Sequence, residues 1–186
     1  MKEVPPILKS GARIFESYQR DFKLSQSELH GCILDLGANN GGFVTHLRNV
    51  LGNASAQGVE VRPEQVAQNA EGIIIADARK LPFDDESLDT VVARHCMSIF
   101  LSDDDPRIPL HEALRVLKPG GRFVFDIGDP TYEKNATDHM VKRQAGLKLI
   151  YSTLDDLEAR GYGIAKTPRI LDGNPQNGII ISIKKP

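Results

Sequence analysis

Apolar positions change period several times along this chain, and each change marks an element. Ile7, Leu8, Ile14, Phe15, Tyr18 and Phe22 recur at roughly helical spacing, which predicts a leading helix over 7–22 with Gly11 as its weak point. CILDLG (32–37) is a short apolar run ending in glycine, the pattern of a strand buried on both faces. GGFVTHLRNVLG (41–52) places Phe43, Val44, Leu47, Val50 and Leu51 on one side and reads as a helix stopped by Gly52 and Asn53. AQGVE (56–60) predicts a second strand. RPEQVAQNA (62–70) predicts a second helix of the alternation, with Pro63 in its first turn. GIIIA (72–76) predicts a third strand.

SLDTVVARH (87–95) predicts a fourth strand. DDPRIPLHEALRVLKPGG (104–121) predicts a helix whose Leu110, Ala113, Leu114 and Leu117 share a face, ended by Lys118-Pro119-Gly120-Gly121. RFVFDIG (122–128) predicts a fifth strand. STLDDLEARG (152–161) carries a serine at its start, acids early, arginine late and a terminal glycine, the signs of a capped helix. GYGIAKTPRIL and GIIISIKKP predict two final strands joined by a hairpin-like connection through Asp172-Gly173-Asn174-Pro175 and Asn177-Gly178. Between the fifth strand and the last helix, TYEKNATDHMVKRQAGLK has a polar middle and predicts an accessory segment. Strand–helix alternation with a closing strand pair predicts an α/β fold: a doubly wound, mostly parallel sheet with an antiparallel terminal strand. In such sheets ligands sit at the carboxyl ends of the strands, where the strand order reverses.

Composition narrows this picture little. The 186 residues suffice for one domain, 40% are hydrophobic, and the formal charge is −2. That charge gives no reason to expect a nucleic-acid partner. Cys32 and Cys96 each fall in a predicted strand region and read as reduced core thiols, and no cysteine–histidine cluster has zinc spacing. The expectation is no metal, no membrane span, no leader in MKEVPPILKSGARIF, and cytoplasmic residence.

Candidate chemistry gathers at the predicted strand ends. The loop Asp35-Leu36-Gly37-Ala38-Asn39-Asn40-Gly41-Gly42 joins the first strand to a helix whose free N–H groups favour negative charge. It would suit a nucleotide pyrophosphate or a methionyl carboxylate. The three residues between Gly37 and Gly41 depart from the G-x-G-x-x-G of dinucleotide sites. Glu60 ends the second strand 25 residues after Asp35, where a carboxylate can accept both ribose hydroxyls. Asp77 ends the third, in Ala76-Asp77-Ala78. Each has a plainer role: Asp35 orienting the loop by accepting backbone N–H bonds, Glu60 as a solvated residue at a helix start, Asp77 as a turn residue.

Taken in order, ILDLGANNGG, VEVRPE, ADARKLPFDDESLDTVVA and EALRVLKPGGRFVF resemble the class I S-adenosylmethionine-dependent methyltransferases, in particular the small-molecule type 11 group. The resemblance covers residues 31–128 well. It implies a Rossmann-like, seven-stranded fold in one domain: a leading segment over 1–30, a cofactor core over 31–128, and an accessory segment with terminal strands over 129–186. It implies S-adenosylmethionine as cofactor. Asp35 and the backbone of Gly37 would hold its methionyl ammonium, Glu60 its ribose and Asp77 with Ala78 its adenine. Gly37, Asn39 and Gly41 would form its loop, and the backbone at Arg94 would line the methionyl part. Asn39 departs from the commonest motif, which has glycine there. Arg94-His95-Cys96-Met97 departs from the Asn-Pro-Pro-Tyr of amino methylation on DNA bases.

Methyl transfer needs mainly proximity, and a base only where the acceptor is protonated. His95, just after the fourth strand, is the candidate base; packing locally is its plainer role. Cys96 reads as a buried thiol. Asp126 and Asp129 flank the end of the fifth strand, where they would touch substrate or a metal. Asp103, Asp104 and Asp105 read as a solvated cluster at a helix start. Tyr18 and Arg13 would line an acceptor pocket or serve core and surface. The expected acceptor is a small molecule, in a pocket left open or closed by a second subunit of a homodimer. The competing readings are a catalytically silent cofactor-binding scaffold or activator, an aminopropyltransferase, and a nicotinamide enzyme on fold analogy alone.

Overall fold

A computed structural model describes residues 6–128, 138–171 and 174–186 of the chain. The leading helix α1 (Pro6–Phe22) forms as its spacing predicts. A short helix, α2 (Gln26–His30), follows, and periodicity alone does not announce it. Its signal is a capping box, in which Ser25 accepts from the Glu28 N–H while the Glu28 carboxylate accepts from the Ser25 N–H. Then come β1 (Ile33–Leu36), α3 (Gly42–Asn49), β2 (Gln57–Glu60), β3 (Ile73–Ile75) and β4 (Leu88–Ala93). The chain continues through α4 (Phe100–Asp103), α5 (Arg107–Val116), β5 (Leu117–Gly128), α6 (Asp138–Ala159), β6 (Gly163–Leu171) and β7 (Asn174–Lys184).

The seven strands lie in the order β3-β2-β1-β4-β5-β7-β6. β1 to β5 are parallel, and β7 runs antiparallel to both β5 and β6. The predicted doubly wound sheet and its antiparallel terminal strand are therefore present. All four residues of β1 are buried, as expected of a central strand. Side chains alternate between two cores. Leu34, Leu36, Val91, Phe123 and Phe125 face α4, α5 and α6. Ile33, Val92 and Val124 face α1 and α3 with Tyr18, Phe22, Phe43 and Leu47.

Three expectations need correction. The helix predicted over 62–70 is a single 3-10 turn at Pro63–Gln65. Residues 61–65 are exposed and only Val66, Ala67 and Ala70 are partly covered, so no apolar stripe exists to hold a helix against the sheet. Beside it Val61 and Ile75 stay more than half exposed. The helix predicted to start at Ser152 instead starts at Asp138. Ser152 lies inside it and returns its hydroxyl to the Leu149 carbonyl, so it is no cap. Leu147, Ile150, Leu154 and Leu157 form the buried stripe that carries the helix back into the supposed accessory segment. Gly146 permits the approach to α4, since a Cβ there would overlap the Leu101 carbonyl. Finally, Leu117 opens β5 opposite Leu88, and the Lys118–Gly121 turn becomes a register shift within that strand pair. Residues 129–137, with Asp129, and the connection at 172–173 lie outside the described residues, as do the side chains of Arg13 and Asp103.

Candidate active site

The strand order reverses between β1 and β4, so the loops leaving their carboxyl ends diverge and open a crevice. A cavity of about 550 Å³ occupies it, within the range of small-molecule sites. Its lining comes from the loop after β1 (Gly37–Asn40), the end of β2 (Val59–Arg62), the loop after β3 (Ala76–Arg79) and the segment after β4 (Arg94–Cys96). Helix α1 adds Ile14 and Tyr18, and the start of α4 adds Phe100 with Ile99 before it. Gly37, Asn39, Glu60, Asp77, Ala78, Arg94 and His95 therefore share one cavity. Asp35 and Gly41 are not among its lining residues; Asp35 is joined to it through Tyr18.

The loop is held by its backbone. The Gly37 and Ala38 N–H groups both donate to the Val59 carbonyl at 2.9 Å, which ties the end of β1 to β2. Gly37 has φ +71°, and a Cβ on it would stand 2.9 Å from the Cys96 side chain. Only glycine meets both demands. Asn39, the departure from the commonest motif, has φ +51°. Asparagine tolerates this left-handed conformation, so the departure is accommodated locally. Gly41, with φ +77°, is the N-cap of α3 and packs toward Ala70 and Ile73 rather than the cavity. The Asn40 carboxamide oxygen accepts from the Gly42 N–H at 3.0 Å and serves the helix start.

The two central carboxylates differ in what they lack. Glu60 is 3% exposed. One oxygen accepts from the Asn39 N–H and the other from the Arg62 N–H, each at 3.0 Å. It is thus a buried residue that grips the loop, not a solvated one at a helix start; the Arg62 guanidinium also donates to Oε1 at 3.3 Å, so Oε2 is the oxygen that retains accepting capacity. Asp35 is 1% exposed. Its Oδ1 accepts from the Tyr18 hydroxyl at 2.9 Å, and its Oδ2 has no partner among the described residues. No described backbone N–H reaches it, so it does not orient the loop in the expected way. Burial pushes its carboxyl up to about 7; the Tyr18 hydrogen bond and the Arg94 charge pull against that, and Glu60 adds to it. A buried carboxyl oxygen without a donor is costly unless something cationic or protic meets it.

At the far side of the cavity Asp77 accepts from the Arg79 N–H at 2.8 Å, so the turn role is real. Arg79 also clasps the same carboxylate with its side chain and reaches Asp104 at 3.0 Å. The Arg79 hydrogen bonds hold Asp77 below the usual carboxylate range. Asp104 thus closes the cavity rim. Asp105, by contrast, does serve a helix start, accepting from the Arg107 N–H.

The segment after β4 holds what sequence reasoning did not connect. His95 has φ +58°. Its backbone N–H and its ring Nδ1 both bond the Asp126 carboxylate, the ring at 2.9 Å. Its Nε2 lies 3.4 Å from the Arg169 guanidinium, and the side chain is 55% exposed. Asp126 is buried; burial alone would raise its carboxyl, but the His95 hydrogen bonds and Arg169 outweigh burial and hold it low. Asp21, buried on α1, accepts from Arg94 at 3.2 Å and Arg169 at 3.1 Å. Parallel pairing of Ala93 with Phe125 brings the segments that follow both strands together, with His95 two residues beyond Ala93 and Asp126 one beyond Phe125. Asp21 and Arg169 arrive from the two ends of the chain without a local signal. Burial, with Asp35, Glu60 and Asp126 nearby, pushes the Cys96 thiol up to about 12, so it is a protonated packing group. Among the described residues no three potential ligands assemble for a metal ion, and no described helix is long and apolar enough to cross a membrane.

This fold and crevice are those of a nucleotide-cofactor α/β protein, and the comparisons with known proteins specify which. The methyltransferase domain family of type 11 matches residues 34–125. A probable phthiotriol/phenolphthiotriol dimycocerosates methyltransferase of Mycobacterium ulcerans is 34% identical over 114 residues, covering 54% of this chain and 41% of the relative. A sterol 4-C-methyltransferase of Caenorhabditis elegans is 30% identical over 149 residues, covering 73% of this chain and 40% of the relative. The chain thus spans about two fifths of these relatives' length. The solved plantazolicin methyltransferase BpumL, in complex with S-adenosylhomocysteine (SAH) and a monoazolic desmethylPZN analogue, superposes with TM-score 0.64 at 14% identity, over 96% of this chain and 83% of that one. Residues 34–125 are a methyltransferase domain of the class I S-adenosylmethionine-dependent kind.

Proposed function

We propose that this chain binds S-adenosylmethionine in the cavity at the ends of β1, β2 and β4 and methylates a small-molecule acceptor there. The observation that carries the reading is the pair of buried carboxylates at neighbouring strand ends. Asp35 offers an oxygen without a donor, suited to an ammonium group, and Glu60 offers a buried carboxylate whose Oε2 keeps a spare lone pair, suited to a ribose hydroxyl. Asp77 and the Ala78 backbone bound the place for adenine, and the Arg94 backbone borders the methionyl part. Gly37, Asn39 and Gly41 set the loop that keeps these groups in register. When bound, the cofactor supplies a methyl group on a cationic sulfur, already poised for displacement.

The chain's own part is alignment and proton handling. Asp126 accepts the Nδ1 proton of His95 and so leaves Nε2 as the basic nitrogen. His95, exposed at the cavity mouth, takes a proton from the acceptor at Nε2. Ile14, Ile99 and Phe100 line the cavity with apolar surface, which suits a small acceptor with an apolar body. The names of the two relatives give phthiotriol/phenolphthiotriol dimycocerosates and a sterol as what those proteins methylate. Nucleic acid fits poorly: Arg62 is paired with Glu60, Arg79 with Asp77 and Asp104, and Arg94 and Arg169 with Asp21. Cytoplasmic residence, a single domain over the whole chain, and closure of the cavity by a second copy complete the reading.

Calorimetry with SAH tests the binding half, and release of SAH from S-adenosylmethionine across a panel of apolar metabolites tests the transfer half. Binding without turnover on any acceptor would favour a silent cofactor-binding module acting on a partner protein. Binding of NADH with none of SAH would overturn the reading.

A further inference from the structure

The methyltransferase domain match begins at residue 34, yet one side chain inside the cofactor end of the cavity comes from residue 18. We propose that Tyr18 is a positioning residue of the cofactor site: it commits one oxygen of Asp35 and leaves the other open, so that docking of α1 and binding of a cation beside Asp35 strengthen each other. The proposal rests on the reading of the cavity as the S-adenosylmethionine site.

The phenol is held on every side. Its ring stacks on Phe43 of α3 at 4.1 Å and 13°, meets Phe22 edge-on at 5.5 Å, and lies 5.8 Å from the Arg94 guanidinium. Burial first, then the Asp35 carboxylate, raises the phenol well above its usual range, so its hydroxyl stays a donor. The groups facing Asp35 are Tyr18 from α1, Arg94 and Cys96 from the segment after β4, and Glu60 from β2. Only Tyr18 hydrogen-bonds it among the described residues. Without that hydroxyl, both buried oxygens would lack a donor and the carboxyl would keep its proton at neutral pH. A neutral acid is a poor partner for an ammonium group.

Three residues further along the same helix, Asp21 ties α1 to Arg94 and Arg169. The helix is thus fastened at both the cofactor end and the His95 end of the cavity. Binding energies couple reciprocally. If a docked α1 prepares Asp35 for a cation, a bound cation must hold α1 more firmly.

The test is Tyr18→Phe in the full chain, titrated with SAH from pH 6 to 9, with hydrogen exchange of α1 amides measured with and without SAH. Phenylalanine fills the same stacked space, so far-ultraviolet dichroism and a cooperative thermal transition should show a retained fold. SAH binding should weaken about tenfold or more at pH 7, as expected for losing one hydrogen bond to a charged group, and the gap should narrow toward pH 9. SAH should slow exchange along α1 in the unmodified chain and do so less in the variant. Equal affinities with equal pH dependence would overturn the role of Tyr18, as would α1 exchange indifferent to SAH in the unmodified chain, a result available even if the variant misfolds. Failure of the unmodified chain to bind SAH would instead remove the cofactor reading and this proposal with it.

Discussion

The two ends of the cavity are built on different plans. The end proposed for the cofactor is made of short loops leaving β1, β2 and β3, and hydrogen bonds from its backbone fix it: Gly37 and Ala38 to Val59, Asn39 to Glu60. At the end proposed for the acceptor, His95 lines the cavity and is held by charged side chains from distant segments outside that lining, with Asp126, Arg169 and Asp21 joined through ion pairs. A backbone-built site demands particular residues at close spacing, so its chemistry is local. A side-chain-built site demands only that charges meet after folding. The first can be shared across a family that varies its acceptors; the second is where a family member can differ.

The largest effect should fall on the acceptor end. His95→Ala is expected to lower kcat by about 10²–10⁴-fold for an acceptor that must lose a proton, with SAH affinity nearly unchanged in calorimetry. A large loss of SAH affinity instead would merge the two ends into one. Next, Glu60→Ala should weaken SAH about a hundredfold, through lost ribose contacts and two orphaned loop N–H groups. Unchanged affinity would remove Glu60 from the ribose role.

A smaller effect follows from Asp35, whose carboxyl stands at about 7 against an ordinary 3.8. A raised carboxyl favours the protonated form in the folded chain. Its contribution to stability is therefore complete below about pH 3.8 and is lost as pH rises through about 7. A cation bound beside it favours ionisation, so SAH should raise Tm more at pH 8 than at pH 6. In Asp35→Asn that difference should vanish; its persistence would place the titrating group elsewhere. The smallest effect is expected at Cys96. With its thiol pushed up to about 12 it serves packing, so Cys96→Ala should cost about 1 kcal/mol of stability and leave kcat within about twofold by the metabolite assay. A loss of activity comparable to that of His95→Ala would give the thiol a chemical role.

The same contrast explains what the sequence made legible. Asp35, Gly37, Asn39 and Glu60 could be placed because a glycine loop between an apolar run and a helix has few folded solutions. The mostly parallel sheet and its antiparallel terminal strand followed from alternation and the terminal strand pair; the strand order did not. The helix expected over 62–70 failed because a proline start and scattered alanines are local signals, while a helix needs a face to bury. The start of α6 was missed for the converse reason: Leu147 and Ile150 lie among lysines, arginine and Gly146, so a buried stripe looked polar. The partners of His95 were hidden by distance along the chain, Arg169 most of all. Tyr18 was visible as a helical apolar position, but its hydrogen bond to Asp35 depends on how α1 settles on α3.

The most direct measurement is calorimetric titration of the unmodified chain with SAH, with NADH run in parallel. Saturable binding of one SAH per chain, with no heat from NADH, is the predicted result. Binding of NADH with none of SAH would contradict the assignment of Asp35 and Glu60 to a methyltransferase cofactor site.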